Sequence, residues 1–327
     1  MSDLHHPLPV PAADQHWNLD AIVAELRQAR LRWRGAHGRL RELRARELPS
    51  REALAQIVQA LCGTLFPMRL GPPDLRDESE DYYVGHTLDA ALNALLAQVR
   101  LELAYQARQL GRDSARAEAD AVDIVRRFAA GLPGIRGLLD SDVVAAFQGD
   151  PAARSVDEVL LCYPGVVAVT HHRLAHSLYA LGVPLLARMV AEIAHGETGI
   201  DIHPGARIGP GFFIDHGTGV VIGETAVIGA RVRLYQAVTL GAKRFEVDAE
   251  SDSGALAKGQ PRHPIVEDDV VIYAGATILG RITIGRGSVI GGNVWLTRSV
   301  PPGSNVTQAN LLREPLTPSP SPSTAAA

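Results

Sequence analysis

Only two of the 327 residues are cysteine, Cys62 and Cys162. Two cysteines make neither a disulfide framework nor a zinc site, so a reducing compartment is the simpler setting. Both read as buried small apolar residues. An excess of positive charge is also missing. The formal net charge is −4 at pH 7, which gives no electrostatic case for nucleic acid. No uncharged apolar run approaches the roughly 20 residues that a membrane span needs. The stretch Met1 to Pro7 has neither a basic n-region nor an apolar h-region, so no secretory signal is read there, and the expected location is cytoplasmic. What the chain does have is apolar residues, 46% of the total, enough for a sizeable core.

Two kinds of pattern divide the sequence. Residues 1–16 carry prolines without periodicity and read as a flexible arm. Residues 17–196 read as an all-helical domain. Its first helix spans about 17–46, with Ile22, Leu26, Ala29, Trp33 and Leu40 on one stripe. The arginines of that helix, with Glu25, Glu42 and Glu47 as counter-charges, read as a solvated face. Further helices are expected near 50–62, 87–110, 115–130 and 139–148, with Asp74 to Asp81 an acidic loop. A last one runs from Val167 to His195, broken or kinked at Gly182-Val183-Pro184. Residues 314–327 read as a disordered tail.

From about residue 200 the period becomes six. Apolar residues fall at Ile202, Ile208, Ile214 and Val220, then the register slips by two and restarts at Ile222, Ile228, Leu234 and Leu240. After an interruption over 242–264 it resumes at Val266, Ile272, Ile278, Ile284, Ile290 and Leu296. Small or β-branched residues follow four places later, as at Ala206, Ala226, Val238 and Ala276. Neither a 3.6-residue helix nor a hairpin array has this period. It is the hexapeptide repeat of a parallel β-helix: three short sides make a triangular coil, and stacked coils bury the aliphatic ladder. The fold class is therefore α+β, helices followed by a β-helix over 197–313 that carries the loop insertion 242–264. A loop that long in a tight solenoid points to function or disorder, and it can reach a neighbouring subunit.

Polar motifs that a solenoid does not require punctuate the ladder. They are Asp201-Ile202-His203-Pro204, Asp215-His216-Gly217-Thr218-Gly219, Gly223-Glu224-Thr225 and Arg262-His263-Pro264, with Gly149-Asp150-Pro151-Ala152 upstream. In this order, together with Arg173-Leu174-Ala175-His176 and Gln236-Ala237-Val238-Thr239-Leu240-Gly241, they give the chain a resemblance to bacterial serine acetyltransferases over roughly 149–305. That resemblance implies the left hand of the β-helix, against the usual right-handed crossover rule.

Acetyl transfer to a hydroxyl needs a base, because a neutral alcohol is a weak nucleophile. Histidine suits the task near neutral pH, and a carboxylate should fix its tautomer. The resemblance assigns His216 as base, Asp201 as its orienting partner and His263 as a second histidine at the serine hydroxyl. It assigns Arg262 to the serine carboxylate, Asp150 and Asp215 to the ammonium, and Glu224 as a supporting carboxylate. Acetyl-CoA would be a co-substrate, with no permanently bound cofactor and no metal. It would lie in a groove between solenoids near Gly241, Ala242, Ala274, Ser288 and Gly291. Ala242 stands where the family usually has a second glycine. Direct transfer is preferred to an acyl-enzyme, since no cysteine falls among the motifs.

The same resemblance implies trimers with sites between subunits, or hexamers joined through the helices. Family members whose tail closes with isoleucine bind O-acetylserine sulfhydrylase; this chain closes Ala325-Ala326-Ala327, so no tail-mediated complex is expected. Competing readings are an acetyltransferase for another small acceptor such as a sugar, a zinc enzyme of the carbonic anhydrase kind with three converging histidines, and a non-catalytic scaffold. His203 reads equally as structural or functional. His171, His172, His176 and His195 read as packed or solvated helix residues, although His172 and His176 have ligand spacing.

Overall fold

The computed structural model describes residues 17–36, 48–110, 117–243 and 259–309. The expected arm, the end of the first helix with Leu40, most of the 242–264 insertion and the tail lie outside them. Helix α1 (Leu19–Ala36) belongs to a compact unit of its own that ends at Glu47. Asp20 in its first turn and Arg34 in its last suit the helix dipole, and none of its residues is buried.

The second unit begins at Leu48. Its helices are α2 (Arg51–Leu65), α3 (Pro67–Leu70), α4 (Glu80–Leu110), α5 (Ala117–Gly149), α6 (Val156–Cys162), α7 (Pro164–Ala180) and α8 (Pro184–Thr198). Ser50 and Ser155 cap α2 and α6, each accepting a backbone N–H three residues on. Several expectations need correction. The expected helices at 115–130 and 139–148 are one helix, α5, which runs through Pro133. Proline removes one backbone hydrogen bond there. The apolar stripe Phe128, Leu132, Ile135, Leu139, Val143 and Ala146 is buried on both sides of it, and that packing carries the helix across. Helix α4 starts at Glu80, inside the expected acidic loop. Cys162, expected to be buried, is exposed at the end of α6; Cys62 is partly buried, and burial pushes its thiol up to about 12.

The break before Pro184 is complete. Glu102 of α4 accepts the backbone N–H groups of Leu185 (2.9 Å) and Leu186 (2.8 Å), and so caps α8 from another helix. Burial raises its pKa, against those two bonds.

From Asp201 onward the chain forms a left-handed parallel β-helix with three faces. Face A stacks β1 (Asp201–Ile202), β4 (Val221–Ile222), β7 (Thr239–Gly241), β10 (Thr277–Leu279) and β13 (Trp295–Leu296). Face B stacks β2 (Arg207–Ile208), β5 (Val227–Ile228), β8 (Ile265–Val266) and β11 (Thr283–Ile284). Face C stacks β3 (Phe213–Ile214), β6 (Arg233–Leu234), β9 (Val271–Ile272), β12 (Val289–Ile290) and β14 (Asn305–Val306). All pairings are parallel and in register, as Ile202 on Ile222 on Leu240 on Ile278 on Leu296 illustrates. The second residue of each strand points inward, and every one but Ile208 is buried. Each such aliphatic side chain contributes roughly 1.5–3 kcal/mol.

The helices grip the first coil through one buried ion pair. Arg173 of α7 donates to both carboxylate oxygens of Asp142 of α5, at 3.1 and 3.0 Å. The same guanidinium donates to the carbonyls of Ile208 and Gly209 (2.7 Å for the latter). Asp142 also accepts from Phe212 N–H at 2.8 Å, and Ser141 accepts from Gly211 N–H at 3.0 Å. The turn between β2 and β3 is thus pinned from both sides.

Breaking a buried pair leaves an uncompensated charge, which typically costs about 3–5 kcal/mol. Arg173→Met should therefore destabilise the protein by about that much in denaturant unfolding. Arg69→Met, at an exposed pair with Asp157, should cost under about 1 kcal/mol. Equal losses at the two positions would contradict the assignment of Arg173 as the clamp.

Candidate active site

The spacing along face A locates the site. Asp201 pairs with Val221 twenty positions on, Val221 with Thr239 eighteen on, Thr239 with Thr277 thirty-eight on, and Thr277 with Trp295 eighteen on. Eighteen is three hexapeptides. The chain therefore departs from its period twice, by two residues in the first coil and by twenty in the third.

The two-residue departure is the turn from β3 to β4. Six residues, 215–220, make this turn, where four (235–238) join β6 to β7. The extra length lifts His216 out of the coil: its backbone is left-handed, φ 59°, and its side chain is 70% exposed. Gly217 follows at φ 91°, and a Cβ there would lie 2.4 Å from Ile200 Cδ1. Glycine is required on both counts.

Carboxylates surround this turn. His216 Nδ1 is 3.8 Å from Asp215 Oδ1. Asp215 Oδ2 accepts from Arg233 at 3.1 Å, and the Arg233 guanidinium lies over the rings of Phe213 (5.0 Å) and Tyr235 (4.8 Å). Asp150, just past α5, accepts from the Tyr163 hydroxyl at 2.5 Å and from Ala152 N–H at 2.8 Å. Those two bonds, with smaller contributions from Arg233 and His216, hold its carboxyl below the usual range. The expected partner Asp201 makes no hydrogen bond or ion pair with His216. Its backbone lies directly beneath the turn, with Asp201 N–H donating to Val220 O at 2.9 Å, while its carboxylate gathers with Glu192 and His195 within 4.8 Å. Glu192 there is paired with Arg188 at 2.5 Å. This is the group of described residues with metal-ligand spacing. It contains one histidine, His195.

The twenty-residue departure enters β8 through Arg262 and His263. They dock on the β4–β5 turn, which holds Gly223, Glu224 and Thr225. Arg262 Nη2 donates to Glu224 Oε2 at 2.7 Å, and Tyr179 of α7 donates to Glu224 Oε1 at 3.2 Å. Burial opposes ionisation of Glu224, yet the bond and charge of Arg262 outweigh it and lower its pKa. His263 is buried, with its ring against Gly223, where a Cβ would lie 2.0 Å from Cδ2. Burial first, then the neighbouring Arg262, push its imidazole down to about 4. His203 lies edge-on to Tyr179 at 5.8 Å and accepts Gly205 N–H at 3.0 Å, so it serves its own turn. His171 and His176 contact backbone carbonyls, and His172 is buried. The His172 and His176 rings lie 5.7 Å apart, tilted by 32°.

The assigned residues thus fall into two sets, on two edges of the prism. Asp150, Asp215 and His216 lie at the C-to-A edge, and Glu224, Arg262 and His263 at the A-to-B edge. Among the described residues no hydrogen bond or ion pair joins the sets. The residues assigned to acetyl-CoA divide the same way: Ala274 and Gly291 follow β9 and β12 on the first edge, and on the second Gly241 ends β7 and Ala242 follows it. Ser288, assigned to the same group, stands apart from both edges. It is fully buried at a B-to-C corner, and its hydroxyl donates to Pro301 O and accepts Ser304 N–H, both at 3.2 Å. Sequence reasoning missed Tyr163, Arg233 and Tyr179, which lie outside the quoted motifs. Thr225 stood inside a quoted motif without a role.

The model of the bacterial transferase hexapeptide (six repeats) matches residues 263–298. A plasmid serine acetyltransferase of Synechococcus elongatus is 58% identical over 298 residues, 90% of this chain and 92% of that one. The serine acetyltransferase of Mycobacterium tuberculosis is 51% identical over 165 residues, 50% of this chain and 67% of that one. Among solved structures, Entamoeba histolytica serine acetyltransferase 1 in complex with L-cysteine superposes with a TM-score of 0.66 at 37% identity, over 77% of this chain and 86% of that one.

Gly217→Ala should destabilise the protein by about 1–3 kcal/mol, because its Cβ overpacks against Ile200 in a left-handed turn. Gly134→Ala, in α5 with open space around it, should be neutral or stabilising. Thermal unfolding of the two variants checks this. An unchanged midpoint for Gly217→Ala would contradict the close turn.

Proposed function

We infer the working of the site from one premise: the chain belongs to the serine acetyltransferase family. It is an acyltransferase that acetylates the hydroxyl of L-serine. The donor, in our reading, is acetyl-CoA, lying along the groove beside Gly241, Ala242, Ala274 and Gly291.

The proposed reaction is direct transfer. His216 is the base. Exposed on its bulged turn, it can meet a substrate hydroxyl, take its proton and let the oxygen attack the thioester carbonyl carbon. The tetrahedral adduct collapses, the carbon–sulfur bond breaks, and the leaving thiolate receives the proton from His216. The protein ends the cycle in its starting protonation state. Asp215 stands at ion-pair range from the His216 ring. Asp201, one coil below, is proposed to complete the orientation of that ring when substrate is bound. The serine ammonium would sit between Asp150 and Asp215, and its carboxylate at Arg262, whose fork is braced from behind by Glu224. L-cysteine offers the same ammonium and carboxylate, so the same groups would hold it as an inhibitor.

One observation supports placing the site between subunits. The two sets of residues occupy different edges of one prism, separated by face A. A three-fold assembly would set the C-to-A edge of one chain against the A-to-B edge of the next. Hexamers through the helical domain remain part of the same proposal.

The test is acetyl-CoA consumption with L-serine, wild type beside His216→Ala. Loss of the base should lower turnover by about 10²–10⁴-fold. Wild-type turnover with another acceptor but not with serine would overturn the substrate, and an unimpaired His216→Ala would overturn the base.

A further inference from the structure

The two histidines of the site need not do the same work, and the bonding around His263 separates them. Resting on the acetyltransferase reading, we propose that Thr225 is a positioning residue. It holds His263 in the tautomer that carries its proton on Nε2, so that His263 enters the reaction as a neutral hydrogen-bond donor and not as a base.

The argument is a count of donors and acceptors. His263 Nδ1 lies 3.1 Å from the backbone nitrogen of Thr225 and 2.9 Å from Thr225 Oγ1. A backbone N–H can only donate, so Nδ1 must accept and carries no proton. Thr225 Oγ1 in turn accepts the backbone N–H of Arg262 at 2.9 Å and that of His263 at 3.1 Å. Its two lone pairs are then engaged, and its own proton is left for Nδ1. Two donors on Nδ1 put the single ring proton of the neutral imidazole on Nε2. Flipping the ring would put a carbon where Nδ1 now accepts, and both bonds would be lost. The ring also has no room to slide, since it lies across Gly223.

The surroundings keep the ring neutral. A second proton would have to enter on Nδ1, between two donors that already point at it. Arg262 and Arg281 face the ring with positive charge, as does His203 when protonated, and Glu224 alone among the facing groups favours the cation. Arg281 further fixes the contact, donating to the carbonyls of Thr225 (2.6 Å) and His263 (3.0 Å). An imidazole whose accepting nitrogen is occupied cannot take the serine proton. Its Nε2–H can donate to an oxygen that bears negative charge, either the substrate carboxylate or the oxyanion of the tetrahedral adduct.

The test uses the full chain with ¹⁵N-labelled histidine and long-range ¹H–¹⁵N correlation of the ring nitrogens. At pH 7, His263 should show an unprotonated Nδ1 and a protonated Nε2. Thr225→Val should give a mixture of tautomers and lower kcat/KM for serine by about tenfold or more. Thr225→Ser should restore both the spectrum and the rate. His263→Asn, which keeps a donor but offers no base, should retain more activity than His216→Ala. A loss in the KM for serine would mark the carboxylate as the acceptor, and a loss in kcat the oxyanion. A proton on Nδ1 in the wild type, or a Thr225→Val protein unchanged in both spectrum and rate, would overturn the inference. The tautomer is read whether or not serine is turned over, so failure of the acetyltransferase reading would appear separately, as absence of serine-dependent turnover.

Discussion

A parallel β-helix tolerates one coil length. Each strand must lie in register on the strand below, or the inward ladder of Ile, Leu and Val loses its stacking and the backbone its partners. Eighteen residues per coil satisfy both demands, and the chain keeps to that number between Val221 and Thr239 and again between Thr277 and Trp295. Extra residues can be accommodated only at corners, where they leave the ladder untouched. Chemistry needs side chains that project away from a surface of flat, short sides. The two departures from eighteen are where this chain supplies them. Two extra residues raise His216 on a left-handed turn, and the longer insertion returns through Arg262 and His263.

The helical domain does different work. Through Arg173, Asp142 and Ser141 it fixes the corner immediately before β3, only a few residues from Asp215 and His216. Through Tyr163 it fixes Asp150, and through Tyr179 it braces Glu224. Both edges of the site therefore receive support from the helices. A solenoid alone would lack Asp150 and would leave Glu224 without Tyr179, so the helices are part of the site's architecture.

Much of this was legible in the sequence, and what was not has a physical reason. The hexapeptide period fixes the strand positions because burial at every sixth residue admits no other packing. The slip after Val220 is visible as a shift in the ladder, and its meaning emerges only when the β3–β4 turn is compared with the turns stacked above it. The motifs that carry the resemblance hold His216, Asp215, Arg262 and His263, and only the coil geometry shows that these fall on two edges. Ser288 was assigned to the donor groove by resemblance alone, and its burial at a corner, bonded to backbone, depends on the return of the chain through Pro301 and Ser304. The gap between the helices expected near 115–130 and 139–148 contains Pro133, and tertiary burial carries the helix across it. Partners such as Arg173 with Asp142, or Tyr163 with Asp150, belong to no local pattern. Nor does a donor count such as that around Thr225, which needs the return of the insertion to be seen against the β4–β5 turn.

The central claim is that one site is assembled from the C-to-A edge of one chain and the A-to-B edge of another. Mixing two inactive variants tests it most directly: His216→Ala, which spoils the first edge, and Arg262→Ala, which spoils the second. If edges from different chains meet, random trimers from an equal mixture contain sites with both edges intact, and about a quarter of the wild-type serine-dependent turnover returns. Assemblies verified to contain both variants, yet no more active than either alone, would contradict the account.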